Sequence, residues 1–245
     1  MTPAEQHILA HAAACSPQEA CGLVITTPAG EQYFPCENRH PDPTQFFEIL
    51  PDDWLRAAAA GDITAVVHSH PEGPSTLSVA DRQAQRRTEL PWWLVCDGRI
   101  TVWRNIPPLT GRTFEHGVTD CYTLFRDAYA LAGIQLPDFV REDDWWRHGQ
   151  NLYLDNLPSI GLYRVMTPQP GDIILCCYGG SVANHAAVYC GDQHILHHLP
   201  HQLSKREVYN HSWQRMTHSF WRHREWQPLS FTAICSDLAA ASACR

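Results

Sequence analysis

Thr64-Ala65-Val66-Val67-His68-Ser69-His70-Pro71, followed further on by Ser78-Val79-Ala80-Asp81, is the stretch that decides how this chain folds. The apolar, β-branched run before His68 reads as a buried strand. His68 and His70 are two positions apart, so both imidazoles leave one face of it. Ser78 to Asp81 has the spacing of a capping box and predicts a helix continuing through Arg87. Asp81 then lies on the first turn of that helix. Two imidazoles and one carboxylate leave one position of a tetrahedral ion open, as in a catalytic zinc site and unlike a closed structural one. Ser78 shares the helix face of Asp81, and its hydroxyl could stabilise an oxyanion. Glu19, just ahead of the apolar run Cys21–Thr26, is the candidate general base. Each residue alone has a plainer explanation: a capping histidine, a helix N-cap, a polar group at a strand edge.

Outward from this stretch, Thr2-Pro3-Ala4-Glu5 predicts a capped helix from Pro3 to Ala14. Cys21–Thr26 reads as a strand turning at Pro28-Ala29-Gly30, with Tyr33–Asn38 as its partner. Asp52 or Asp53 is expected to cap a helix ending at Gly61. Trp92–Cys96 and Ile100–Trp103 flank Asp97-Gly98, a hairpin signal. Asn105-Ile106-Pro107-Pro108-Leu109-Thr110-Gly111 continues neither helix nor sheet and predicts a linker. After it come a helix from Asp120 to Ala132, stopped by Gly133, and strands near Asp172–Cys177, Ala183–Cys190 and His194–Leu199, with a tight turn at Gly191-Asp192. The expected class is α+β in two domains. Residues 1–105 form a mixed α/β sheet domain, 106–112 a linker, 113–226 a helix packed on an antiparallel sheet, and 227–245 a weakly ordered tail.

The 245 residues are 44% hydrophobic and 18% charged, which places the chain among globular proteins. With 26 acidic residues against 18 Lys and Arg, the net charge of -8 argues against nucleic-acid partners, which require a basic footprint. No apolar run approaches the roughly 20 residues of a bilayer span. The N-terminal segment lacks a basic n-region, which argues against a secretory signal. The 10 cysteines are scattered without a CxxC pair and read as reduced thiols.

One of those cysteines is placed for chemistry. Cys121 opens the predicted helix at Asp120, where the positive end of the helix dipole favours thiolate while the Asp120 carboxylate opposes it. A thiol nucleophile needs a base. His185, at the start of a strand, is the candidate, and His197 on the following strand could orient it in a Cys-His-His relay. His198 is a second possibility, although strand alternation turns it to the other face. An inert buried thiol is the structural alternative.

The combined patterns carry resemblances. His68-Ser69-His70-Pro71 with Ser78-x-x-Asp81, and Pro17-Gln18-Glu19-Ala20-Cys21-Gly22 upstream, resemble the JAMM (MPN+) metallopeptidases over residues 1–105. The resemblance implies His68, His70 and Asp81 as zinc ligands, Glu19 as general base and Ser78 as oxyanion stabiliser in amide hydrolysis. Asp120-Cys121-x-x-Leu124-x-Arg126-Asp127-x-Tyr129, Pro170-Gly171-Asp172-Ile173, Asn184-His185 and His197 resemble the papain-like NlpC/P60 cysteine peptidases. That implies Cys121 as nucleophile, His185 as base and His197 as orienting residue. Where many relatives carry a tyrosine ahead of the nucleophile, this chain has Leu109. The two domains in this order, with Gly111-Arg112-x-Phe114-x-His116-Gly117-Val118-Thr119-Asp120-Cys121, resemble the tail-tip assembly protein K family of lambda-like phages. Membership implies other tail-tip proteins as partners, assembly in the host cytoplasm or a place at the virion tail tip, and peptidoglycan peptide stems or a tail protein as substrate. The rival expectations are a structural assembly factor with vestigial sites and an enzyme removing a ubiquitin-like tag.

Overall fold

The strand and helix signals resolve into two compact units, Met1–Pro107 and Pro108 onward. This computed structural model describes residues 1–227 together with Ile234, Cys235 and Leu238; the rest of the tail expected at 227–245 lies outside the described residues.

In the first unit, α1 (Pro3–Cys15) opens with a reciprocal capping box: Thr2 Oγ1 accepts the Glu5 amide at 3.1 Å, and the Glu5 carboxylate accepts the Thr2 amide at 2.7 Å. Then come β1 (Cys21–Thr27), β2 (Gly30–Cys36), α2 (Pro51–Ala60), β3 (Asp62–Ser69), α3 (Val79–Thr88), β4 (Trp92–Cys96) and β5 (Arg99–Trp103). Sheet order is β2-β1-β3-β4-β5, antiparallel except where β3 runs beside β4. A parallel neighbour requires a crossover, and α3 is that crossover. It therefore starts near the C-terminal end of β3, the end of a strand at which open α/β sheets gather ligands.

Alternation along the strands divides the core. Leu23, Ile25, Val66 and Leu94 pack with Ala57 of α2 and Ala84 of α3. Val24, Ala65 and Val67 pack with Ile8 and Ala12 of α1. His68 continues the Val66 set, so it faces the α3 side. One expectation is corrected: neither Asp52 nor Asp53 caps α2. Leu50 occupies the N-cap without a side-chain bond, and Asp53 lies buried within the first turn, paired with Arg56. Pro51 is preset for a first helical position and has no amide to satisfy, so the helix starts ahead of the carboxylates.

The second unit holds α4 (Cys121–Leu131), a 3₁₀ turn at Trp145–His148, α5 (Leu152–Asn156), β6 (Leu162–Val165), β7 (Ile173–Cys176), β8 (His185–Gly191), β9 (His194–His197), β10 (Lys205–Val208), α6 (His211–Met216) and β11 (Thr217–His223). Its sheet, β10-β9-β8-β7-β11-β6, is antiparallel throughout, and α4 packs on β8 and β9. The last strand lies between β7 and β6, fastened where buried Asp172 receives Arg222 Nε at 2.8 Å and Nη2 at 2.7 Å. Gly191 ends β8 and the turn itself falls on Asp192 and Gln193, whose φ of 47° and 55° match the left-handed pair of a type I′ hairpin. Among the described residues every cysteine is a free thiol, and no helix is long and apolar enough to cross a membrane.

Candidate active sites

Because β3 delivers His68 and His70 to one end of the sheet and α3 begins there, the first constellation converges. His68 Nε2 and His70 Nε2 are 3.1 Å apart, and Asp81 Oδ2 is 3.6 Å from the first and 3.4 Å from the second. Donor atoms sharing one tetrahedral ion at about 2.0–2.1 Å lie about 3.3–3.4 Å from one another, so this set fits a single small cation. The donor chemistry agrees. His70 Nδ1–H donates to the Pro74 carbonyl at 2.8 Å, which leaves its Nε2 lone pair facing His68. Two imidazole acceptors and a carboxylate facing one point are a mutual repulsion unless a cation or a proton lies between them. Among the described residues, His68, His70 and Asp81 are the group able to hold a metal ion.

The charges are set by the surroundings. Burial lowers the His68 pKa against the opposing pull of Asp81. Burial would lower His70 too, but Asp81, the Pro74 carbonyl and Glu19 outweigh it and raise the group. Burial would raise Asp81, yet the two imidazoles and Ser78 hold it far below the usual carboxylate range. Glu19 Oε1 sits 3.7 Å from His70 Nε2, and burial pushes Glu19 up to about 7, eased by His70 and reinforced by Asp81.

Ser78 is used as a cap. Its Oγ accepts the Asp81 amide at 3.1 Å while its own amide donates to Asp81 Oδ2 at 2.8 Å, and the hydroxyl helps to hold the Asp81 pKa down, so the serine fixes the carboxylate. Three neighbours were missed in the sequence. Ser69 Oγ accepts the Ala20 amide at 2.8 Å and ties the Glu19 segment to β3. Asn38 Nδ2 donates to the Glu19 carbonyl at 3.0 Å and to the Phe46 carbonyl at 2.9 Å. Phe47 stacks on His68 at 4.8 Å. Ser69 had a signal, since the residue between two face-sharing histidines must point to the other face; Asn38 and Phe47 come from a loop and had none.

In the second unit Asp120 caps α4, accepting the Thr123 amide on Oδ1 at 2.9 Å and the Gly117 amide on Oδ2 at 2.9 Å. Cys121 follows at the first position of the helix. It lines a cleft of about 950 Å³ together with Tyr153, Trp145, Trp146, Asn184 and His185. The sulfur lies 3.1 Å from the Tyr153 hydroxyl and also meets the backbone amide of Ala186. Burial and then Asp120 push the thiol up to about 11, with Tyr153, Ala186 and Arg141 pulling the other way. His185 pairs in register with Cys176, and burial brings it down to about 3. Thiol and imidazole are therefore both neutral at rest.

The expected relay is only partly assembled. His185 and His197 meet edge to face at 5.7 Å between centroids, and His185 Nε2 has no hydrogen-bond partner among the described residues. His197 packs on Trp213 and lies 3.1 Å from Glu207 Oε1, off hydrogen-bond alignment; burial lowers it to about 4. His198 is buried against Phe114 instead, edge to face at 5.1 Å. Where relatives place a tyrosine, Leu109 is fully buried. A tyrosine hydroxyl reaches the sulfur all the same, from α5, which lies downstream of the nucleophile and carries no spacing signal.

Comparison with known proteins agrees with both halves. Residues 1–106 match the family of prokaryotic homologs of the JAB domain, and residues 111–222 match the NlpC/P60 family. The chain is thus a JAB-like domain followed by an NlpC/P60 domain, with mixed α/β content and antiparallel sheets. It is 65% identical over 196 residues to tail tip assembly protein K of Escherichia phage lambda, covering 79% of this chain and 98% of that protein. With the same-named protein of Escherichia phage N15 it shares 34% identity over 226 residues, 89% of this chain and 93% of that one. This chain belongs to the tail tip assembly protein K family. Among solved structures, an NLP/P60-family protein of Staphylococcus aureus is 16% identical over 90% of this chain and 60% of that one, with a TM-score of 0.33.

Proposed function

We propose that this protein takes part in phage tail tip assembly, with other tail proteins as partners in the host cytoplasm, and carries two hydrolytic centres. One is a zinc-dependent amide hydrolase, the other a thiol peptidase acting on peptidoglycan stem peptides or a tail protein. The observation that carries the reading is the meeting of His68 Nε2, His70 Nε2 and Asp81 Oδ2 within 3.1–3.6 Å, with Glu19 3.7 Å from His70. Zinc, once bound, supplies Lewis acidity to a carbonyl and lowers the pKa of water. Glu19, brought up to about 7 by burial, takes the proton from the attacking water and returns it to the leaving amine. The hydroxyl of Ser78, which rests against the Asp81 carboxylate, turns to donate to the developing oxyanion.

At the second centre, His185 takes the Cys121 proton as Sγ attacks the carbonyl carbon. The amine leaves with that proton, and a thioester joins sulfur and acyl group. Water then hydrolyses the thioester, with His185 as base, returning the thiol and releasing the acid. The Tyr153 hydroxyl, 3.1 Å from the sulfur, donates to the thiolate as it forms.

Metal analysis of the purified protein tests the first centre. Near one zinc per chain is expected, retained in Glu19→Gln but lost in His68→Ala/His70→Ala, with metal-dependent hydrolysis absent from both. For the second, Cys121→Ala should lose cleavage of stem peptides. Cell wall cleared equally well by Cys121→Ala, or tails assembled normally by a variant lacking both centres, would leave a scaffold.

A further inference from the structure

We propose that Arg141 is a positioning residue that couples one wall of the thiol cleft to the ionisation of Cys121. The inference rests on the reading of Cys121 as nucleophile and concerns a residue outside the relay. Arg141 belongs to the segment that carries Asp143, Trp145 and Trp146 along the cleft. Its side chain is buried and reaches back to the start of α4, where Nε donates to Asp120 Oδ2 at 2.9 Å. Nη2 donates to the Gly117 carbonyl at 3.3 Å, and Nη1 to Asp138 Oδ1 at 2.8 Å and to the Phe139 carbonyl at 2.7 Å. The guanidinium plane lies 4.6 Å from the centroid of Tyr122, on α4 itself.

The arrangement answers a local conflict. α4 needs an N-cap, and Asp120 is one, but an aspartate adjoining the nucleophile places a buried negative charge where a second must appear on sulfur. Asparagine caps a helix about as well without that charge. With aspartate, the thiolate becomes accessible only if a cation lies on the carboxylate. Arg141 supplies the cation, and it does so only while the cleft wall is docked, because the same guanidinium holds Gly117, Asp138 and Phe139. The other groups around Cys121 are Tyr153, the Ala186 amide and Cys176, and His185 lines the same cleft. Beside Arg141, Asp120 meets the Gly117 and Thr123 amides, and its charge also acts on Tyr153 and His198.

The test is the pH dependence of iodoacetamide alkylation, read by mass spectrometry at the Cys121-containing peptide of the full-length protein. Arg141→Gln should move the midpoint upward by about one unit, so that alkylation below the midpoint slows about tenfold. Arg141→Lys keeps the charge and should recover most of that loss. Asp120→Asn should move the midpoint down, and Asp120→Asn/Arg141→Gln should return it close to wild type. A wild-type profile in Arg141→Gln, or a double variant as slow as Arg141→Gln alone, overturns the coupling. Should Arg141→Gln fail to fold by circular dichroism, Asp120→Asn decides: an unmoved midpoint there overturns it equally. Peptide hydrolysis is a separate measurement. Cleavage undiminished in Cys121→Ala removes the nucleophile reading, whereas an unmoved alkylation profile removes this one.

Discussion

The two candidate centres solve opposite electrostatic problems. At the end of β3, two imidazole nitrogens and two carboxylates point at one another, and the arrangement is incomplete without a positive charge between them. In the α4 cleft, a thiol raised to about 11 shares the lining with an imidazole lowered to about 3, so neither group is charged at rest. On the proposed function, the first centre depends on an ion from outside and the second on moving a proton between its own groups. Metal supply and acidity should therefore separate them.

The largest separation is catalytic. Cys121→Ala should reduce thiol-centre hydrolysis by roughly a thousandfold or more while leaving metal uptake at wild-type level. A chelator should do the reverse. Stem-peptide cleavage followed in both conditions checks this, and a chelator that stops thiol-centre cleavage would break the distinction between the centres.

Acid should act next most strongly, and mainly on the second unit. His185 and His197 are buried with pKa values lowered to about 3 and about 4, against about 6.5 for an unfolded histidine. The unfolded chain then binds more protons than the folded one between those limits. Their contribution to stability is complete above about pH 6.5 and declines as pH falls toward 4 and then 3. Between pH 7.5 and 5 the loss is roughly 2 kcal/mol per histidine. Urea midpoints at the two pH values, with His197→Gln showing a smaller drop than wild type, measure it. An unchanged difference in His197→Gln would place the acid sensitivity elsewhere.

Metal should stabilise the first unit by a comparable or smaller amount. Free zinc at a hundred times its Kd adds about 2.7 kcal/mol to a fold that binds it only when native. Asp81→Asn should lose that increment in a thermal scan, because the site would keep two imidazoles and forfeit its anionic ligand. A zinc-induced shift that survives Asp81→Asn would mean the ion binds elsewhere.

The centres also differ in how far the sequence disclosed them. His68 lies on β3, His70 follows its last residue, and Ser78 and Asp81 open one capped helix, so strand period and capping pattern are enough to place them. The thiol centre draws on elements with weak local patterns. α5 is a short helix, β10 is a polar edge strand, and β11 enters the sheet out of chain order. Hence Cys121 and His185 were legible at their element ends, while Tyr153, Arg141 and Glu207, brought in by tertiary packing, were not. The misplaced α2 cap has a local cause: the acidic pair Asp52-Asp53 outshone Pro51, although the proline sets the start.

Ser69 allows the smallest and most local test of the contrast. The cleft wall is fastened by a charged pair, Arg141 with Asp120, whereas the Glu19 segment is fastened by a neutral bond from the Ala20 amide to Ser69 Oγ. Ser69→Ala leaves that buried amide without its side-chain acceptor, a cost of about 1–2 kcal/mol. The bond itself carries no charge, so any difference in the drop in urea midpoint between pH 6 and pH 8 should come from Glu19, which burial holds up at about 7. The three ligands remain, so zinc content should stay at wild-type level. Glu19, released from its register beside His70, should lose part of its effect on hydrolysis. Full metal content with reduced turnover would tie the serine between the two histidines to the base and not to the ligands; metal lost in parallel with turnover would show that Ser69 shapes the ligand set itself.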